Sequence, residues 1–131
     1  MTARDVIQRT IAAYDAGDLD AYAACCAEDA VIIMNADSPV RGRAAVRQQA
    51  AIEKAAFPDM KLDRSLFVAD GEWVAWRWRL RGTHDGDYGP WAATHRTVDV
   101  WGSTHARVVD DLVAEMLMVT DRASMLAQLG R

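Results

Sequence analysis

At 131 residues with a formal net charge of −4, the chain is long enough to bury a core as one domain without disulfides or metal, and it lacks the basic footprint of a nucleic-acid binder. No apolar run approaches membrane-spanning length and the N-terminus has no basic-then-apolar leader, so a cytoplasmic protein with no membrane partner is expected. Cys25 and Cys26 are adjacent and His84, His95 and His105 are scattered, which argues against a disulfide framework, a metal centre or another cofactor.

Helix one is expected over Ala3 to Ala16, with Val6, Ile7, Ile11 and Tyr14 as its apolar stripe and Gly17 as its stop. Asp18 caps a second helix, on which Leu19, Tyr22, Ala23 and Cys26 follow helical spacing. Val31 to Asn35 reads as a short buried strand, Asp37-Ser38-Pro39 turns the chain, and Arg41-Gly42-Arg43 leads into a third helix ended by Pro58. Strands then take over. Lys61 to Ala69 meets Trp73 to Arg81 through Asp70-Gly71, and Thr97 to Val109 meets Leu112 to Thr120 through Asp110-Asp111. A loop from Thr83 to Thr94 carries Tyr88, Gly89-Pro90 and Trp91, and a last helix covers Arg122 to Leu129. Helices first and long strands after them make an α+β domain over residues 1–131, with helices covering one face of a bent sheet.

The segment from Trp73 to Arg81 alternates with period two. Val74, Trp76, Trp78 and Leu80 share one strand face, and Arg77, Arg79 and Arg81 share the other. Such bulky apolar side chains need either a thick core layer or a cavity to cover them, and a curved sheet around a cavity is a pocket for a hydrophobic small molecule. Met116, Met118 and Thr120 also share a face, one of soft, adaptable surface. Asp99 and Arg107 stand on a long strand, where a cross-strand surface pair is the default.

The stretch Ile-Ala-Ala-Tyr-Asp-Ala-Gly-Asp-Leu-Asp, the Arg-Gly-Arg-Ala-Ala-Val entry to helix three, Phe57-Pro58-Asp59-Met60, Arg81-Gly82-Thr83-His84-Asp85-Gly86 and the end Met125-Leu126-Ala127-Gln128-Leu129-Gly130 together resemble the SnoaL-like polyketide cyclases of the nuclear-transport-factor-2-like superfamily. The resemblance implies a cone-shaped α+β barrel, a strongly bent, mostly antiparallel sheet wrapped around the N-terminal helices with a central apolar pocket. It also implies a homodimer formed through the sheet.

Relatives that cyclise polyketides are thought to run an intramolecular aldol reaction, in which a pocket carboxylate of raised pKa takes a proton from carbon. A gapless comparison puts that carboxylate on Met118 and its companion histidine on Thr104. The base and oxyanion residues of ketosteroid isomerases, on the same fold, fall near Met34 and on Thr10 and Thr104. A one-residue slip would turn His105 inward in place of Thr104. Tyr14 matches a pocket tyrosine able to bond a substrate carbonyl, and Gln49 matches a substrate-orienting amide. Asp121 matches a common family aspartate, although an N-cap role also explains it. Asn35 and Asp37 fall at the mouth of the expected cone.

The sequence therefore leads to an enzyme of secondary metabolism, closing or isomerising a ring on a hydrophobic polyketide-like substrate. Asp121, Asp37 and Tyr14 are its candidate catalytic groups, and Asn35, Gln49, Trp76, Trp78, Trp91, Thr104, Met116 and Met118 its candidate binding residues. Epoxide opening on the same fold is a second reading and needs Asp37 paired with Asp121 or Asp99. A non-catalytic binding or assembly module is a third, favoured by the loss of both cyclase titratable groups.

Overall fold

The computed structural model describes all residues, Met1–Arg131. Its elements run α1 (Ala3–Asp15), α2 (Leu19–Ala24), β1 (Cys26–Met34), β2 (Val40–Arg41), α3 (Arg43–Ala56), β3 (Lys61–Asp70), β4 (Trp73–Thr83), β5 (Thr97–Val109), β6 (Leu112–Thr120) and α4 (Arg122–Gln128). α1 opens on a capping box, in which Thr2 accepts from the Asp5 amide while the Asp5 carboxylate accepts from the Thr2 amide. Six strands form one sheet in the order β2-β1-β6-β5-β4-β3, antiparallel except where β1 runs parallel to β6. β2 and β3 are free edges, so the sheet curls without closing and the expected barrel is an open cone.

Register puts the inward side chains in rows that cross the sheet. Met34, Met118, Thr104 and Trp76 are successive partners on β1, β6, β5 and β4, and Ile32, Met116, Ala106 and Val74 form the next row. His105 therefore points outward, edge-on to Trp73, and Thr104 is the inward residue. Two details shape the wall. Leu66 sits at φ 56° in a bulge of β3, after which Phe67 stacks on Trp76 with ring centroids 5.7 Å apart. Opposite Trp78, β5 carries Gly102, and a Cβ there would fall 2.2 Å from the indole of Trp78. The missing side chain is what lets that indole lie across β5.

The chain differs from the sequence expectation mainly in β1. Cys26 begins this strand instead of continuing the second helix, whose last helical residue is Ala24. The run Ala27-Glu28-Asp29-Ala30 hid the strand because a register shift between Cys26 and Val31 leaves Glu28 and Asp29 exposed and breaks the alternation. Both cysteines are buried and unpaired, and burial raises the Cys26 thiol to about 11. Both long hairpins form as expected. Asp110 and Asp111 sit at φ 53° and 60°, the left-handed pair that a two-residue hairpin turn needs and that Asp tolerates.

On the outer face Arg79 bonds Asp99 at 2.6–2.7 Å and Arg81 bonds Asp63 at 2.6 Å. Asp99 thus takes its cross-strand partner in Arg79, and Arg107 stands 3.9 Å from both Glu72 and its cross-strand neighbour Glu115. None of the helices is long and apolar enough to cross a membrane. Replacing Gly102→Ala should push Trp78 off β5 and destabilise the fold by about 1–3 kcal/mol, the usual cost of overpacking. Thermal unfolding together with the near-ultraviolet dichroism of the tryptophans would register both effects.

Candidate functional site

Between the curled sheet and the helices lies a cavity of about 600 Å³, lined by 31 residues of which 20 are hydrophobic. The sheet supplies Met34, Met116, Met118, Thr104, Trp76, Trp78 and Leu80, and β3 adds Leu62 and Arg64. α1 contributes Ile7, Thr10, Ile11 and Tyr14, and α2 contributes Tyr22. The opposing wall is α3, which presents Val46, Gln49, Ala50 and Glu53 at positions i, i+3, i+4 and i+7, one face of a helix.

Glu53 is the residue the sequence reasoning missed. The Tyr14 hydroxyl donates to its Oε1 at 2.9 Å, and the Gln49 amide donates to its Oε2 at 3.3 Å. What surface Glu53 keeps opens onto the cavity, and burial pushes its pKa above the usual 4.5 against the lowering effect of those two bonds. Lys54, over the Tyr14 ring at 4.2 Å, supplies a weaker opposing field. The same burial and the neighbouring Glu53 hold the Tyr14 phenol well above its ordinary range, so it remains a donor. A carboxyl whose pKa is raised in an apolar cavity is the kind of group that can accept a proton from carbon and return it to oxygen.

The expected binding residues all border this cavity: Asn35, Gln49, Trp76, Trp78, Trp91, Thr104, Met116 and Met118. Asn35, at φ 52°, spends its side-chain oxygen on the Thr120 amide at 3.0 Å, tying the ends of β1 and β6 together. The three expected catalytic groups part company. Tyr14 lines the cavity, but its proton goes to Glu53, so it orients the carboxyl. Asp37 stands at the rim in a two-bond pair with Arg122, one of them 2.9 Å, which holds it below the usual carboxylate range. Asp121 does not line the cavity; its side chain accepts from the Ser124 amide and hydroxyl and caps α4, which holds its pKa low.

The rim is completed by the loop after β4. Gly86 packs so tightly on the end of α3 that a Cβ would lie 2.1 Å from the Ala55 carbonyl oxygen, and the amides of Asp85 and Gly86 both donate to the Ala56 carbonyl. That anchor brings Tyr88 and Trp91, stacked at 6.1 Å, over the opening. His84 is fully buried below it and accepts the Thr94 amide at its Nδ1, so its tautomer places the proton on Nε2. His95 lies outside, bonded to Asp85 at 3.0 Å. No group of three or more His, Cys, Asp or Glu side chains converges as a metal site.

With that geometry in view, the chain matches the SnoaL-like polyketide cyclase family over residues 4–129. It belongs to that family. Among solved structures this SnoaL-like chain is similar to IdmH of Streptomyces antibioticus, provisionally classed as a polyketide cyclase, at 30% identity and a TM-score of 0.82 over 100% of both chains. It is also similar to AclR of Streptomyces galilaeus, provisionally classed as a hydroxylase, at 25% identity and a TM-score of 0.82, covering 98% of this chain and 95% of that one. A SnoaL-like protein of Jannaschia sp. CCS1 superposes with a TM-score of 0.90 at 20% identity, covering 97% and 90%, and shows the fold alone. No curated protein matches the chain significantly. Membership supports a cyclase or isomerase type of role, and within it the cavity carboxyl of this chain stands on α3.

The raised pKa of Glu53 has a stability consequence with a definite sign. The folded state holds the proton more tightly than the unfolded chain, so stability is highest below the ordinary value near 4.5 and is lost as pH rises through it towards the folded value. Glu53→Gln should therefore unfold at a higher temperature than the parent at pH 7, with the difference closing below pH 4.5. A melting series across that range checks it.

Proposed function

We propose that this SnoaL-like protein closes a ring on a hydrophobic, polyketide-like substrate by acid–base chemistry, with Glu53 moving the proton. The observation that carries the reading is a single carboxyl, oriented by two donors, inside an apolar cavity of substrate size. In the forward step the Glu53 carboxylate removes a proton from a carbon flanked by a carbonyl, giving an enolate. The enolate carbon attacks a second carbonyl of the same chain and forms the carbon–carbon bond. The alkoxide so created takes the proton back from the Glu53 carboxyl, and atoms and charge balance without a cofactor. Tyr14 and Gln49 hold the carboxyl in place while its charge changes, and the apolar walls fold the substrate so that its reacting carbons meet.

Epoxide opening finds less support, because it calls for two converging carboxylates. Asp99 is bonded to Arg79 on the outer face, Asp121 caps α4, and Asp37 is engaged by Arg122. A homodimer formed through the outer face of the sheet is part of the proposal, supported by Trp73, Trp101 and Val119, which remain 40%, 48% and 50% exposed there.

The test is a thermal-shift screen against aromatic polyketides, steroids and terpenoid epoxides, followed by turnover on whatever binds. A ligand at ~100 times its dissociation constant should stabilise the fold by about 2.7 kcal/mol. On a polyketide hit, Glu53→Gln should cut kcat on the order of a hundredfold or more while leaving binding nearly intact. Asp121→Asn should keep turnover and lose about 1 kcal/mol or less of stability through its cap. Full activity of Glu53→Gln would defeat the assignment.

A further inference from the structure

Four hydroxyls line the cavity from residues that are at least nine-tenths buried: Thr10, Tyr14, Tyr22 and Thr104. Two have already given their protons to the protein. Thr10 donates to the Val6 carbonyl at 2.7 Å and Tyr14 donates to Glu53. The other two have no protein acceptor. Tyr22 is 7% exposed and its hydroxyl has no protein partner, although its ring is fixed edge-on to Tyr14 at 5.5 Å. Thr104 is 4% exposed, and its oxygen accepts the Trp78 indole N–H at 3.0 Å. A threonine hydroxyl that accepts still has one proton to give. His84 Nε2 is the one side-chain atom sealed off without a partner, so the Tyr22 hydroxyl, unpaired with protein, keeps contact with the cavity. Its proton and that of Thr104 are the two left unspent among these hydroxyls, and a ligand carbonyl can accept them.

We propose that the Tyr22 and Thr104 hydroxyls are the specificity-setting donors of this cavity, each holding one carbonyl oxygen of a ligand that carries no formal charge. This rests on the reading of the cavity as a polyketide-like substrate site. It adds which groups choose the ligand and how they face it: Tyr22 from the helical side beside the Tyr14–Glu53 pair, Thr104 from the middle of the sheet wall between Trp76 and Met118.

Geometry fixes both donors. Gly102 lets Trp78 lie across β5, and the indole N–H then polarises the Thr104 hydroxyl and sets its direction. Burial keeps the Tyr22 phenol protonated throughout the ordinary pH range.

The requirement for a neutral ligand comes from the charges of the cavity. Arg64 is bonded to Asp15 at 2.9 and 3.0 Å, and Arg122 is bonded to Asp37. Glu53 is the remaining charged type, and burial presses it towards its neutral form. An anion entering would be stripped of water without a free cation to meet it.

Three probes on one skeleton test this with the whole chain: dimethylnaphthoquinone, dimethylnaphthalene without the two carbonyls, and a naphthoquinone sulfonate. Quenching of tryptophan fluorescence reads binding, and thermal unfolding reads the unliganded protein. The quinone should bind about tenfold more tightly than the hydrocarbon, and the sulfonate should bind worst. Tyr22→Phe should lose about tenfold in quinone affinity without lowering the unfolding temperature of the free protein, since that hydroxyl has no partner to lose. Thr104→Val should lose affinity comparably, and Thr104→Ser should keep it. Tyr22→Phe also separates ligand binding from folding, because Thr104→Val strands the Trp78 N–H and lowers stability as well.

Equal binding of quinone and hydrocarbon, or unchanged quinone affinity in both Tyr22→Phe and Thr104→Val, would overturn the inference while leaving the cavity a ligand site. Sulfonate binding as tight as that of the quinone would overturn its charge clause. Binding of none of the three would remove the substrate-site reading, and this inference with it.

Discussion

The hydrogen bond from Tyr14 on α1 to Glu53 on α3 is the contact on which the interior depends. Left alone in an apolar cavity, a carboxyl is driven to neutrality or drags water in with it. Two donors from two different turns of structure let Glu53 stay without a cation at bonding distance, at the cost of a raised pKa. The bond also does mechanical work. It joins the first helix to the third, both of which line the cavity of a sheet that does not close on itself. The arrangement costs stability, the compromise that the proposed role of Glu53 would require of the fold.

Around this pair the fold sorts charge by location. Every other acid that might have served is engaged elsewhere by a partner of obvious function: Asp121 at a helix N-terminus, Asp37 on Arg122, Asp99 on Arg79, Asp63 on Arg81. Asp121, Asp37 and Asp99 are exposed groups whose hydrogen-bond partners lower their pKa values, which suits them to remaining charged. Glu53 alone among the cavity acids is pushed in the other direction. Environment thus moves chemically similar side chains in opposite directions.

Much of the fold was legible because its signals were local. The period-two run from Val74 to Leu80, the paired hairpins and the helix stops each follow from a few neighbouring residues, and all appear in the structure. β1 was partly hidden because its bulge exposes Glu28 and Asp29. The cavity wall was readable from alternation, since choosing Thr104 over His105 as the inward residue settles every residue of the row. Glu53 was harder to see. Its neighbours Gln48-Gln49 and Glu53-Lys54 read as a solvated helix, and the telling feature was subtler: Glu53 continues the stripe of Val46, Gln49 and Ala50. A charged residue on the apolar stripe of a helix that must cover a pocket is the signal that marks such a group. Tyr14 offered the complementary hint, a hydroxyl on the inner face of α1, but which acceptor it meets depends on the crossing of two helices far apart in sequence.

The proposed placement of the proton-moving group on α3 would reverse the sense of the site. In the arrangement implied by the family resemblance, the carboxylate rises from the sheet at the position held here by Met118, and the helices only roof the pocket. Here Met34, Met116 and Met118 make the sheet side soft and apolar, while the buried carboxyl, Glu53, stands on the helical wall. A substrate would then lie with its acidic carbon towards α3 and its flat apolar face on the methionines and Trp76. The cone itself is indifferent to this choice, because the concave, mostly apolar space it supplies is the same either way. On the proposed reading, the wall that buries a carboxyl and the groups that hold it there would set the chemistry, which the shape of the fold alone does not.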